Sequence, residues 1–377
     1  MRQSARVVLE SVSPLRKRLG PAGVFFVLSV ALWTLWVLAS PVISHRPPSF
    51  SSPYLLSPLV LLAGAVAGGL LVDRWRNCSL REPVPVLLAI AAFAAPVYAN
   101  ASAAVGVLLV AIAAVALLDL PRPMDIAGMA RTSEIVGAAP AASATAANEA
   151  SRHFPVRVPR SIRQMGESRQ AAFAMGVGVI GILLAFGSQA SLLLLAALLV
   201  TISVVYRVRT GPSRAITLAT GLVLVAFAAV TVAILGSRES WPAWLSQSDS
   251  LSSARHTLWN DALSLWKQNP LVGSGHGTFT PSSELASTTP GLEATHSLVL
   301  QVLAELGIIG LVLLAAVFAG GLLLATQTGR DRGAISGAAW TFLAIHSTID
   351  HLEDFPVVAL TAGILIGWSG RHDPLHQ

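Results

Sequence analysis

Sulfur and charge are both scarce in this chain of 377 residues. A single cysteine, Cys78, excludes a disulfide framework and any cysteine-based metal site. Charged residues make up 12%, about half of the roughly 25% usual in a soluble domain. Lysine occurs twice against 23 arginines, the codon bias of a GC-rich bacterial genome. What fills the space is apolar: 54% of residues are hydrophobic and the mean hydropathy is +0.67. That balance excludes a soluble enzyme and a disordered chain. It also excludes a nucleic-acid binder despite the net charge of +6, because the basic residues stand in short clusters between long apolar runs.

A spanning helix needs about 20 apolar residues. Ten runs are read as spans: 22–43, 54–72, 83–99, 101–120, 171–187, 189–206, 215–236, 296–326, 334–350 and 355–369. The third, fifth and tenth are short, and the ninth carries polar residues. The pattern predicts an all-α polytopic membrane protein with about ten transmembrane helices. Basic residues concentrate on the cytoplasmic side of membrane proteins. Placing the N-terminus inside puts 21 of them in the cytoplasm and leaves Arg46, Arg238, Arg255 and Lys267 outside. Both termini are then cytoplasmic, in what is expected to be a bacterial inner membrane. The first run is too long for a signal-peptide core and reads as a retained anchor.

Two regions follow. Residues 1–236 form a transmembrane bundle of seven spans, interrupted by a basic, Ala/Pro/Ser-rich cytoplasmic loop at 121–170. That loop reads as a flexible connection or a partner-docking segment. Residues 237–377 comprise a long outer loop, 237–295, and spans eight to ten. Loops on a rigid scaffold are where chemistry concentrates. Within this one, 252–268 has the pattern of an amphipathic helix, capped by Ser252 or Ser253 and ended by Asn269-Pro270. Its tryptophans, Trp259 among them, suit an anchor at headgroup depth. Arg255 stands among apolar residues where cations are few. It invites an anionic ligand such as phosphate, or else a salt bridge to Asp249 or Glu239. Three alternate glycines, Gly273, Gly275 and Gly277, surround His276 and allow close backbone approach to a ligand, or simply a tight turn.

Thr295 is expected to cap the eighth span, with His296 on its first turn. The helix dipole there disfavours imidazolium, so a neutral His296 is a candidate general base or a hydrogen-bonded interface residue. Gln301 and Glu305 follow below it. An intramembrane carboxylate is a functional candidate by default, although depth favours a structural partner for Glu305. His346 and Asp350 are four residues apart at the end of the ninth span. They could hold a metal or, more simply, line a polar cavity.

Residues 255–310 resemble the outer-loop signature of the O-antigen ligase and O-antigen polymerase superfamily. The matching residues are Arg255 and Trp259; then Pro270, Leu271, Gly273, Gly275, Gly277 and Phe279; then His296, Ser297, Gln301, Glu305, Gly307 and Gly310. The resemblance implies a metal-independent, inverting membrane glycosyltransferase without cofactor. Its donor would be a polyprenyl-diphosphate-linked glycan and its acceptor a glycan or glycolipid hydroxyl at the outer face of the membrane. Polymerase and ligase remain equally open. By the same resemblance Arg255 would hold the diphosphate and His296 would activate the acceptor. One departure is visible: a second arginine common in the family at the start of an earlier span is replaced here by Gln189, and Arg238 could compensate. Trp259, Gly275, His276, His346 and Asp350 complete the expected substrate-binding set, with no metal. The alternative reading is a transporter or lipid-binding protein for an envelope glycolipid, disfavoured because the spans look largely uninterrupted.

Overall fold

The computed structural model describes residues 2–44, 52–77, 80–95, 97–120, 160–208, 211–241, 251–327 and 329–370. Among them there are helices and turns but no strand. The expected flexible segment 121–170 falls outside these residues as far as 159, and so does Asp249.

All ten expected runs coincide with helices. They are α1 (Arg2–Ile43), α2 (Pro53–Arg76), α3 (Pro83–Ala94), α4 (Ala99–Leu118), α5 (Arg160–Ala185), α6 (Gln189–Val208) and α7 (Arg214–Ser237) in the first region. The second region holds α8 (Leu251–Gln268), the short α9 (Phe279–Ser282) and α10 (Glu284–Thr288), then α11 (Leu298–Ala325), α12 (Arg330–Thr348) and α13 (Pro356–Ser369). Among the described residues seven helices are long and apolar enough to cross a membrane; α3 and α13 are apolar but shorter. The chain is therefore a multi-pass membrane protein.

Lipid is as apolar as leucine, so spanning helices associate by close packing rather than by hydrophobic drive. The sequence supplies small residues for this purpose. The run Ala101–Ala116 of α4, mostly Ala, Gly and Val, is buried throughout, against α5, α12 and α13. The most extensive contact joins α2 to α13. A Cβ at Gly64, Gly68, Gly363 or Gly367 would strike the backbone of the facing helix, so these two helices meet backbone to backbone.

The eighth span is not the uninterrupted helix expected. α11 is broken at Gly307, with φ 68°. The break exists because the segment 270–275 enters it. Ser274 N–H donates to the Ala304 carbonyl (3.0 Å) and Gly275 N–H to the Glu305 carbonyl (2.9 Å). On the other side Ile308 N–H reaches the Pro270 carbonyl (2.9 Å) and Ile309 N–H that of Leu271 (3.3 Å). A Cβ on Gly273 or Gly307 would collide with the opposing backbone, and both residues have positive φ. Backbone groups freed at membrane depth must be satisfied by protein, and the loop satisfies them. The course of α11 changes accordingly. Leu298 and Leu314 line one cavity of about 100 Å³, although a straight helix would hold them about 24 Å apart at 1.5 Å per residue.

Candidate functional site

The loop helix α8 spans Leu251–Gln268, so it starts ahead of both serines proposed as caps. It lies on α7 and α11. Its tryptophans do not share one role. Trp266 keeps its indole near the surface, bonded to the Pro270 carbonyl (3.0 Å). Trp259 is 3% exposed, packed against Trp241, and its indole N–H donates to the Thr295 carbonyl (3.0 Å). The membrane anchor expected at Trp259 is instead a clamp on the residue before His296.

His296 is not on the first turn of α11. Ser297 is the cap, its Oγ accepting from Leu300 N–H (3.4 Å), and the helix begins at Leu298. Thr295 contributes differently from the expected cap: its N–H donates to Gln301 Oε1 (2.8 Å) and its hydroxyl to the Ser297 carbonyl (2.7 Å). Between these fixed points His296 adopts φ 50°, the one positive φ outside glycine among the described residues. A non-glycine residue held there costs of order 1–3 kcal/mol and persists only when its surroundings over-determine it. Here Trp259, Gln301, Ser297 and the Leu298 N–H bond to the Asp350 carbonyl (3.2 Å) do so.

The imidazole is 3% exposed. Its Nδ1 lies 3.5 Å from Asp350 Oδ1, and its buried Nε2 has no partner among the described residues. Asp350 is more heavily engaged than the i, i+4 pairing with His346 implied. α12 ends at Thr348, so Asp350 lies beyond it in the following turn. Oδ2 accepts from Asn100 at the start of α4, and Oδ1 accepts the His351 N–H (2.9 Å). The His351 ring stands with Nδ1 2.9 Å from the same Oδ1. His346 is buried in the last turn of α12 and lines a separate small pocket with Leu108 and Leu194. The trio His296, Asp350 and His351 offers ligand atoms within 4.8 Å of one another, a spacing that suits a divalent ion as well as hydrogen bonding.

Arg255 is half-buried, its Nε lacks a partner, and it makes no ion pair among the described residues. It stands within electrostatic reach of Tyr98 and His346, hence on the side of the bundle that carries Asp350. Arg238 caps the C-terminal end of α7 and is exposed. Its carbonyl receives a bond from His256 Nε2 (2.8 Å), which ties it to the neighbour of Arg255. Gln189 opens α6 and is exposed; the turn before it packs on Ala99.

The glycine loop carries a second histidine–carboxylate pair. Gly275 has φ 98° and its N–H is bonded into the α11 break. His276 Nδ1 lies 3.4 Å from Glu305 Oε2, and its ring meets Tyr54 of α2 edge-on, with centroids 5.1 Å apart. Glu305 is 1% exposed and also accepts Phe279 N–H on Oε1 and Tyr54 O–H on Oε2, each at 3.1 Å. Glu305 is thus the structural partner its depth suggested, and it fastens the loop to two spans. Nearby, Glu353 turns a buried, unpartnered Oε2 beside the cavity of Tyr54 and Leu298, and burial pushes its carboxyl well above the usual carboxylate range. Sequence reasoning missed Asn100, His351 and Tyr54. A lone Asn at a helix start and a lone Tyr gave no signal, whereas His351 stood visibly beside Asp350.

A family model described as O-antigen ligase matches residues 173–315, from within α5 to the middle of α11. The matched stretch contains Gln189, Arg255, the glycine loop, His296, Glu305 and Gly307, and excludes Tyr54, Asn100, Asp350 and His351. The match supports the O-antigen ligase and polymerase superfamily, and with it a glycan-transferring membrane enzyme in polysaccharide assembly. No curated protein matches the chain.

Proposed function

We propose that this chain transfers a glycan from a polyprenyl-diphosphate carrier to an acceptor hydroxyl, at the outer face of a bacterial cytoplasmic membrane. The observation that carries the reading is the strained, buried His296 with a carboxylate at Nδ1 and an unbonded Nε2. A proton on Nδ1, directed at Asp350, leaves the lone pair on Nε2 and makes that nitrogen the base. Asp350 acts as a positioning residue.

In the proposed step the acceptor oxygen attacks the anomeric carbon from the face opposite the diphosphate. Its proton passes to His296 Nε2, the bond from the anomeric carbon to the phosphate oxygen breaks, and the electron pair leaves with the polyprenyl diphosphate. Configuration inverts. The leaving group gains charge, which Arg255 meets with a planar fork that stays protonated. In this reading Arg238, exposed and tied through its carbonyl to the residue beside Arg255, supplies the charge that Gln189 lacks. The cluster is read as a hydrogen-bonded base rather than a metal centre, because both Asp350 oxygens are already engaged by Asn100 and the His351 N–H.

The broken α11 is the feature that favours a transporter, since transporters bind ions at interrupted helices. Here the break is filled by backbone bonds from 270–275, which favours transfer over transport.

The test is to incubate purified protein with polyprenyl-diphosphate oligosaccharide and a candidate acceptor, and weigh the products. Glycan-extended acceptor with released carrier is expected, at the same rate after EDTA treatment. Flux in proteoliposomes without transfer would replace this reading with the transporter. Loss of turnover on chelation and recovery with a divalent ion would turn the His296–Asp350–His351 trio into a metal site.

A further inference from the structure

An unbroken run of aromatic rings leads from His296 to the surface. The His296 ring meets that of His351 edge-on at 4.5 Å. His351 in turn leans on Tyr98 (5.5 Å) and Phe355 (5.7 Å), which stack on each other with planes 9° apart. Tyr98 precedes α4 and is 37% exposed, while Phe355 precedes α13. The stack is bonded to the chemistry beside it: Asn100 Nδ2 donates to the Tyr98 hydroxyl (3.2 Å) and also to Asp350. Its rim is polar. Asp354 is exposed. Glu293, fully exposed on the loop, acts electrostatically on both His351 and His296, and backbone N–H groups hold its carboxyl below the usual range.

Given the glycan-transfer reading, on which this rests, we propose that Tyr98, Phe355 and His351 form a sugar subsite that seats a pyranose ring of the acceptor beside His296. The apolar C–H face of a pyranose is weakly positive and matches the negative face of an aromatic ring. Its edge bears hydroxyls that need planar polar partners, and Asp354, Glu293 and Asn100 surround the stack. A mostly apolar surface with a few convergent polar groups is the general form of a small-molecule site. An aromatic belt at the membrane interface also exposes tyrosine, but a belt has no need of a ring chain that ends on a buried histidine. Residues 98–100 and 351–355 lie outside the stretch matched by the family model, so the subsite belongs to the surrounding bundle rather than to the loop signature.

The test separates acceptor from donor. Tyr98→Leu and Phe355→Leu keep apolar bulk and lose the flat face. Each is expected to raise the acceptor KM about tenfold, with donor KM and turnover at saturating acceptor within about threefold, while Tyr98→Phe stays near wild type. Binding is read independently of chemistry by calorimetry. The probe is oligosaccharide released by mild acid from the envelope glycolipids of the source cells, titrated into protein without donor. Binding that weakens in both leucine variants supports the subsite even if transfer itself is not observed, in which case only the transfer reading fails. Wild-type acceptor binding in both variants overturns the subsite. A lower melting temperature with unchanged binding assigns the rings to membrane anchoring and overturns it equally.

Discussion

Two histidine–carboxylate pairs sit at the same end of this molecule, at nearly the same separation. His296 is 3.5 Å from Asp350 and His276 is 3.4 Å from Glu305. Their surroundings differ in kind. Glu305 spends its remaining capacity on Phe279 N–H and Tyr54 O–H, groups that fix the loop to the spans. Asp350 is held by Asn100 and His351 N–H, which steady the carboxylate itself. The His276 backbone lies between glycines that adopt positive φ freely, whereas His296 is forced there. Strain that the neighbourhood sustains, rather than proximity to a carboxylate, is what sets His296, the base in the proposed transfer, apart from His276.

The contrast is broken most directly by removing each imidazole. His296→Ala is expected to lower turnover about 10²–10⁴-fold, the usual cost of a general base, with the protein folded and donor still bound. His276→Ala is expected to lose less than tenfold. Equal losses in the purified assay would end the distinction drawn here.

The carboxylates sharpen it. Glu305→Ala strands Phe279 N–H and Tyr54 O–H, and each buried group left unsatisfied costs roughly 1–3 kcal/mol. A lower melting temperature is therefore expected before any specific loss of turnover. Asp350→Asn is expected to reverse that order, with near-normal melting and slow turnover across the pH range, because the amide can turn a donor toward Nδ1. Matching profiles in melting and turnover for the two variants would merge the pairs into one structural cluster.

The smallest effect concerns charge near Arg255. Arg255→Lys keeps the charge and loses the fork, so donor affinity should fall clearly. Arg238→Ala should raise the donor KM only several-fold, and less at high salt because the group is exposed. An unchanged donor KM in Arg238→Ala would remove it from the phosphate site.

Much of this architecture was legible in sequence. Long apolar runs announce spans because lipid admits little else, and all ten became helices. The α8 pattern placed the loop helix to within a residue or two. What stayed hidden depends on partners far apart in the chain. Gly307 looks like any glycine in an apolar helix until Leu271 and Gly273 enter beside it. The alternate glycines and the Glu-x-Gly spacing are two halves of one interlock, so the motif is a fold constraint as well as a chemical one. The cap at Ser297 rather than Thr295 moved His296 off the helix, a one-residue difference beyond what pattern resolves. Asn100 reaches Asp350 from a different span, and no periodicity reports that. The orientation of the bundle rests on the basic-residue distribution alone.

The glycine-faced contact between α2 and α13 has a consequence in time. α2 is made early and α13 late, so the α2 groove waits in lipid, without its partner, while the intervening helices are synthesised. Tyr54 heads the first of these helices; Asp350, His351 and Phe355 lead into the second. The segment that leads into α13 carries His351 and Phe355, which lie against His296 and Tyr98, so the same pairing also settles the rings beside His296. Chain order thus makes the α2–α13 contact, and the segment 351–355 that leads into it, a late addition to the described bundle.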